Sequence, residues 1–410
     1  MSEAWSKKLP TNMNHEVCGR IVIRPDRVRP FLERHPWVRA TSIELIEGAP
    51  PDGSVVDVVS RQGKFIARGI FNSRSQIRVR LYTWQDQPLD EPFWRHRLES
   101  AIALRRQLGL DTPNGATRLV FSESDGLSGL IIDKYRDFLV LQVNALGFQQ
   151  RLETIVGILQ ELLNPKGIIA RTDMEIRDQE GITFESPVTW GNVPPGPILV
   201  QEHGLDVGVD LLSGQKTGLY LDQRDNRLAA ARLVKGKRVL DMFCYTGGFS
   251  LVASRCGQAK EVWGFDSSEK AIVMARANAQ QNGVTNTRFE VGDAFQTLKS
   301  LRQEEERFDV VILDPPKFAS GKSTLPEAFR AYHYLNRLAI DVLNPGGYLV
   351  TCSCSGYVTR EDFFNVLFGV SQQVGRDIQI LEQRGAAPDH PVLVTCRETH
   401  YLKCFICRVL

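Results

Sequence analysis

Arg238-Val239-Leu240-Asp241-Met242-Phe243-Cys244 runs directly into Tyr245-Thr246-Gly247-Gly248-Phe249, and this passage decides the architecture. An apolar strand that enters a glycine-containing turn and then a helix from Ser250 is the opening unit of an alternating α/β domain. Downstream the alternation repeats. Strands at 261–266, 287–291, 308–313 and 347–354 are interleaved with helices at 269–282 and 329–343. The expectation is a C-terminal, doubly wound, Rossmann-like parallel sheet. Such sheets bind ligands outside the carboxyl ends of their strands, at the switch point.

The strand ends restrict the ligand. The first turn has no G-x-G-x-x-G fingerprint, and Phe243 and Tyr245 stand where a pyrophosphate loop wants glycine. Gly247 and Gly248 still admit a ligand close to the backbone, which makes Tyr245 and Gly247 candidate cofactor contacts. Asp266 ends the next strand, placed to take both ribose hydroxyls of a nucleoside. Asp293 follows the third strand, within reach of an adenine amino group. Any one of Asp241, Asp266 and Asp293 could be a helix cap. Together, without a phosphate loop, they point to a nucleoside cofactor lacking phosphates, S-adenosylmethionine.

The fourth strand ends in Asp314-Pro315-Pro316-Lys317-Phe318. Two prolines fix the backbone and remove two amide donors. Asp314 and the Pro315 carbonyl are left as acceptors for a planar amine or ring N–H, so a base is the expected guest. The strand beside it ends in Thr351-Cys352-Ser353-Cys354-Ser355-Gly356. A thiolate in that crevice has a specific use. Addition to C6 of a pyrimidine turns the poorly nucleophilic C5 into an enamine carbon, the covalent form of catalysis. Alternation puts Cys352 and Cys354 on one face of a strand. Cys354, nearer the strand end, is the expected nucleophile, with Asp314 orienting the base.

Upstream, the first hundred residues read as short strands at 55–59, 64–71 and 77–81, with helices at 27–35 and 91–108. Ile77-Arg78-Val79-Arg80-Leu81 alternates apolar and basic, as in a small barrel with an arginine-bearing outer face. These residues hold 16 Lys/Arg against 12 Asp/Glu, whereas the whole chain of 410 carries only +2. Arginine suits phosphate because its planar fork donates two hydrogen bonds at once, so Arg74, Arg78 and Arg80 are candidate RNA contacts. The middle, from about 112 to 199, has a hairpin around Tyr135-Arg136-Asp137 and a helix at 150–163, and Pro194-Pro195-Gly196-Pro197 is a candidate boundary.

At 42% hydrophobic and 24% charged, the composition excludes a disordered chain or a disulfide-stapled miniprotein. A polar N-terminus argues against a secretory signal, and no run suffices for a membrane span. Eight scattered cysteines fit reduced thiols in a cytoplasm. Cys404 and Cys407 are spaced as half a zinc site, but only Cys396 lies near them, and no metal is expected.

Taken in order, these motifs are similar to those of the bacterial ribosomal RNA large subunit methyltransferase I family. The resemblance rests on Arg34-His35-Pro36-Trp37-Val38, Glu123-Ser124-Asp125-Gly126-Leu127 and Lys216 through Arg224. It continues through Tyr245–Phe249, Asp314–Phe318, Ser353–Gly356 and Ala387-Pro388-Asp389-His390-Pro391. It implies three parts: an N-terminal PUA-like β-barrel at 18–97, a central α+β domain at 98–200 and the methyltransferase domain at 201–410. It also implies S-adenosylmethionine, a 23S rRNA partner and 5-methylcytidine as product, and it allows a homodimer. By position Cys354 is the nucleophile, Asp222, Gln223 and Arg224 sit over cofactor or RNA, and Asp389 and His390 are candidates near the site. In many RNA cytosine-5 methyltransferases a second cysteine follows Asp-Pro. Here Pro316 stands there, which leaves Asp314, Lys317 and a water open as the base. Methylation of a purine, or a non-catalytic assembly factor, are the competing readings.

Overall fold

The computed structural model describes residues 16–184, 187–212 and 218–410. The chain divides into two compact units. One is drawn from Met1–Val200, Val209–Leu219 and Asp389–Thr399, the other from Gln201–Gly208, Tyr220–Pro388 and His400–Leu410. Among the described residues no helix is long and apolar enough to cross a membrane.

The first unit contains two sheets. The six-stranded one runs in the order Trp37–Arg39, Ile77–Thr83, Phe65–Phe71, Val55–Val59, Val17–Ile23, Ile43–Glu47. Its pairings are antiparallel except that of Val17–Ile23 with Val55–Val59. Ile21, Ile23, Val56, Val58, Val79 and Leu81 fill one face. Val55, Ile70 and Tyr82 point the other way, into a core shared with the helix Glu91–Gln107 and the five-stranded sheet of 116–191. That helix starts on Asp90, whose side chain accepts from the Phe93 amide. Inside it the buried Arg105 makes a bidentate pair with Asp125, at 2.6 and 2.9 Å, and donates to the Arg118 and Asp389 carbonyls. The hairpin expected around Arg136 is present, with Tyr135 opposite Phe138. The helix expected at 27–35 shrinks to a 3₁₀ turn at Pro25–Arg27 and one α turn at Arg29–Leu32, because Arg34 turns into the left-handed region at φ 66°.

The second unit carries a seven-stranded sheet. Its strands are β1 (Arg238–Met242), β2 (Glu261–Asp266), β3 (Thr287–Val291), β4 (Phe308–Leu313), β5 (Leu343–Ser353), β6 (Ile378–Arg384) and β7 (Lys403–Val409). The order is β3-β2-β1-β4-β5-β7-β6. Pairing is parallel up to β5, and β7 inserts antiparallel beside it, with Cys352 opposite Cys404. Both faces are covered, which explains near-continuous apolar strands. Val310 and Ile312 pack on one side with Val239 and Phe249. Val311 and Leu313 pack on the other against the helices Leu325–Asp341 and Arg360–Val374.

The antiparallel β6–β7 pair escaped the sequence reading, and it disposes of the half zinc site. Cys404 and Cys407 sit three apart on one strand, so their thiols fall in opposite cores. The same register corrects the expectation for Cys352 and Cys354. β5 ends at Ser353. Cys352 is fully buried against Cys404, whose hydrogen bond, together with burial, holds the Cys352 thiol well above its ordinary range. Cys354 lies past the strand end, half-buried, in a different environment.

Candidate active site

The expected cofactor and base residues gather at the carboxyl ends of the parallel strands. At the end of β1, Asp241 is wholly buried. One oxygen accepts from Ser250 Oγ at 2.6 Å, and Oδ1 has no partner. Burial, with Asp314 and Asp266 adding repulsion, pushes its carboxyl up to about 7. An unpartnered buried carboxylate oxygen is an observation that a cationic or hydroxyl-bearing ligand would explain. The raised value has a consequence for stability. The unfolded chain ionises this group near 4 and the folded chain near 7, so its contribution is complete below pH 4 and is lost as pH rises through 7. Asp241→Asn should flatten that part of a ligand-free melting-temperature profile between pH 4 and 7.

The turn after β1 is bent tightly. Phe243, Tyr245 and Gly247 all have positive φ, at 65°, 49° and 86°. Two non-glycine residues in this region signal stored strain of the kind found at binding sites. At Gly248 a Cβ would come within 2.7 Å of Arg227 Nε. That guanidinium is buried, paired with Glu202 at 2.6 Å and unable to yield.

Asp266, at the end of β2, accepts from the Tyr245 amide at 2.9 Å and from the Ser268 amide at 2.9 Å. It thus braces the turn and keeps a second lone pair on each oxygen for a ribose hydroxyl. Asp293 is exposed and caps the helix Ala294–Gln303 through the Gln296 amide. Here the capping role is the one observed.

At the end of β4, Asp314 Oδ1 accepts from Gln223 Nε2 at 2.8 Å. The orientation of that amide is fixed from behind. Gln223 Oε1 accepts from Asn226 Nδ2 at 2.7 Å, and Asn226 Oδ1 accepts from Arg384 Nε at 2.8 Å. Asp314 therefore sits at the end of a chain of donors and is half-buried beside the rigid prolines. The Pro315 carbonyl lies 3.7 Å from Cys354 Sγ, which places the thiol against the Asp-Pro-Pro turn. Ser355 joins the same two loops. Its hydroxyl accepts from the Phe318 and Ala319 amides, both at 3.1 Å, and pairs with Tyr332 at 3.0 Å.

Tyr220 packs edge-on to Tyr245, with centroids 5.3 Å apart. Burial, followed by Tyr245, Asp314, Asp222 and Cys354, raises its hydroxyl well above the usual phenol range. Asp222 accepts from the Tyr401 hydroxyl at 2.5 Å, and Arg224 is buried. Lys216 and Thr217 lie outside the described residues. Tyr220, Asn226, Ser355, Tyr401 and Lys403 join this neighbourhood without having been singled out. Lys403, a charge opening a strand of four apolar residues, was the one legible signal among them.

Other expectations are corrected. Arg80 does not face outward. The face opposite Val79 and Leu81 is covered within the first unit, and Arg80 donates to Glu180 at 3.0 Å and to Ser128 at 3.2 Å. Arg78 donates to the Ser75 carbonyl at 2.9 Å, and only Arg74 of the three is exposed. Arg80→Ala should cost about 3 kcal/mol by leaving the buried Glu180 charge with only the neutral donors Ser75 and Asn72, seen as a lowered denaturant midpoint, whereas Arg74→Ala should leave it unchanged. Asp389 is also internal. It accepts from Thr117 Oγ1 and the Arg118 amide and pairs with His390 at 2.9 Å.

His35, Cys396 and Glu398 bring their ligand atoms within 4.8 Å of one another. The Trp37 amide donates to His35 Nδ1, which leaves the ring proton on Nε2 facing Glu398. That bond, first among the causes, lowers Glu398 to about 2. The cluster is satisfied by hydrogen bonds of its own.

Residues 233–384 match the methyltransferase domain family, and residues 21–84 match the PUA-like domain family. Ribosomal RNA large subunit methyltransferase I of Tolumonas auensis is 41% identical over 394 residues, covering 95% of this chain and 99% of its own. That of Klebsiella pneumoniae is 40% identical over 401 residues, covering 97% and 100%. The chain belongs to the ribosomal RNA large subunit methyltransferase I family. The solved structure of SMU.776, complexed with SAH, superposes with a TM-score of 0.83 at 21% identity, over 95% of this chain and 99% of its own. A SAM-dependent methyltransferase from Streptococcus mutans gives 0.82 at 20% identity over the same shares. These two show that the fold of the methyltransferase I family member described here extends to more distant chains.

Proposed function

We propose that this protein transfers a methyl group from S-adenosylmethionine to C5 of a cytosine in 23S rRNA, through a covalent adduct between Cys354 and C6. The observation that carries it is the seating of Cys354 Sγ against the carbonyl of the Asp-Pro-Pro turn, beside an Asp314 held by Gln223. The cofactor supplies an electrophilic methyl sulfonium. The unpartnered Asp241 oxygen, the turn at Tyr245–Gly248 and the ribose-ready Asp266 are the residues that would hold it. Asp293, as a helix cap, would contribute at most its second oxygen.

The chain's own part follows from the geometry. Cys354 adds as thiolate to C6, which pushes negative charge onto N3, and a proton or hydrogen bond given to N3 by the Asp314 carboxyl stabilises that charge as the C6–S bond forms. C5 then takes the methyl group. Loss of the C5 proton and expulsion of the thiolate restore the aromatic ring and the enzyme. The target base has to leave its stack to reach a thiol at a strand end. Arg74, with Arg78 at its side, is retained as an RNA contact in this reading, and Arg80 is released from it. The division into 18–97, 98–200 and 201–410 belongs to the same reading.

The test is a nucleoside digest of unmodified 23S rRNA incubated with the protein and isotopically labelled S-adenosylmethionine. Labelled 5-methylcytidine is expected. A labelled purine would discard the thiol chemistry.

A further inference from the structure

We propose that Lys403 is a positioning residue whose buried ammonium favours the thiolate of Cys354 and fixes the turn that carries it. The inference rests on the reading of Cys354 as nucleophile. Lys403 opens β7, opposite Ser353, the last residue of β5. Its side chain is 1% exposed. The nitrogen donates to the Ser355 carbonyl at 2.6 Å and to the Tyr401 carbonyl at 2.7 Å, and among the described residues it forms no ion pair with a carboxylate. The first bond grips the residue immediately after Cys354. An ammonium has three donors, and two carbonyls account for two of them.

A buried cation held only by neutral carbonyls is costly unless an anion stands near. The groups that act on Lys403 are Cys354 and Asp362, which favour its charge, and Arg360, which opposes it. Asp362 is committed elsewhere, accepting from the Thr359 amide and hydroxyl. Burial lowers Lys403 to about 8, and the Cys354 thiolate is the leading influence restoring it. Around the thiol, burial raises Tyr220 and Tyr332, the thiolate adds a smaller push to each, and Asp314 stands in the same field as Tyr220. Both tyrosines are neutral at pH 7 and Asp314 is acidic, so of these groups Lys403 alone is a cation. The pair is mutually reinforcing: the thiolate keeps the ammonium charged, and the ammonium keeps the thiol ionised.

The test reads the thiol directly and needs no RNA. The full chain is alkylated with iodoacetamide across a pH series, and each cysteine peptide is quantified by mass spectrometry. Lys403→Met should move the Cys354 inflection up by about one unit and slow its alkylation at pH 7 about tenfold, while exposed Cys256 keeps its profile. Lys403→Arg should retain most of the wild-type behaviour. A Cys354 inflection that stays in place in Lys403→Met overturns the proposal, since a purely structural role would alter rates without moving the inflection. Should Lys403→Met not fold, the reciprocal measurement serves. In Cys354→Ala, the titration of Lys403, followed by NMR of 13C-labelled lysine, should fall below the wild-type midpoint, and an unmoved midpoint contradicts the coupling. Turnover retained in Cys354→Ala would instead remove the nucleophile reading, whatever the thiol titration shows.

Discussion

Cys354→Ala should lose at least about 10⁴-fold in kcat for methyl transfer while keeping cofactor affinity within a factor of a few. The size follows from the removal of the proposed covalent nucleophile. Cys352, two residues back, cannot take over. It lies sealed against Cys404, with its thiol held neutral by that contact and by burial. Folding should be little affected, because Cys354 is half-buried and outside the strand. The measurement is single-turnover methylation of unmodified 23S rRNA, with melting temperature as the control. Cys352→Ala should retain turnover, with only a stability cost from the small cavity it leaves.

Asp314→Asn should lower kcat by about 10²- to 10⁴-fold, the range for losing a positioned acid–base or charge-stabilising group. The substitution keeps the shape of the side chain. Gln223 Nε2 can still donate to its oxygen, so the network back through Asn226 to Arg384 remains in place. What disappears is the carboxyl that can hand a proton to N3 of the base. The loss should therefore appear in kcat more than in KM for rRNA. Equal losses in the two would mean that Asp314 only binds the substrate.

Much of the α/β unit was legible because its signals are local. The strands 261–266, 287–291 and 308–313 are each closed by turn residues, at Ser267, Gly292 and Asp314-Pro315, and appear with those bounds. β7 was missed because Lys403–Val409 is a short mixed run, with Lys403 and Arg408 flanking four apolar residues, after an irregular segment. Only the sheet order shows that it enters antiparallel next to β5. The strand-end motifs could be read individually, but the links between them could not. Gln223 and Asp314 are 91 residues apart, and Arg384 supports them from farther along the chain. Arg80 shows the opposite limit. Alternation along Ile77–Leu81 identified two faces correctly, but periodicity does not say which face another part of the chain will cover. Asp293 likewise was one of three aspartates at successive strand ends. Its side chain proves to serve the helix it precedes, whereas Asp241 is buried with an oxygen to spare.

The proposed reaction turns on the bond between Cys354 and C6 of cytosine. It is tested most directly with 23S rRNA transcribed with 5-fluorocytidine. After methyl transfer the fluorine at C5 cannot leave as a proton does, so the thiolate cannot be expelled. Incubation with S-adenosylmethionine should give a denaturant-resistant protein–RNA complex whose cross-linked peptide contains Cys354, and Cys354→Ala should give none. Formation of 5-methylcytidine in normal rRNA, with no such complex on the fluorinated transcript, would contradict the account.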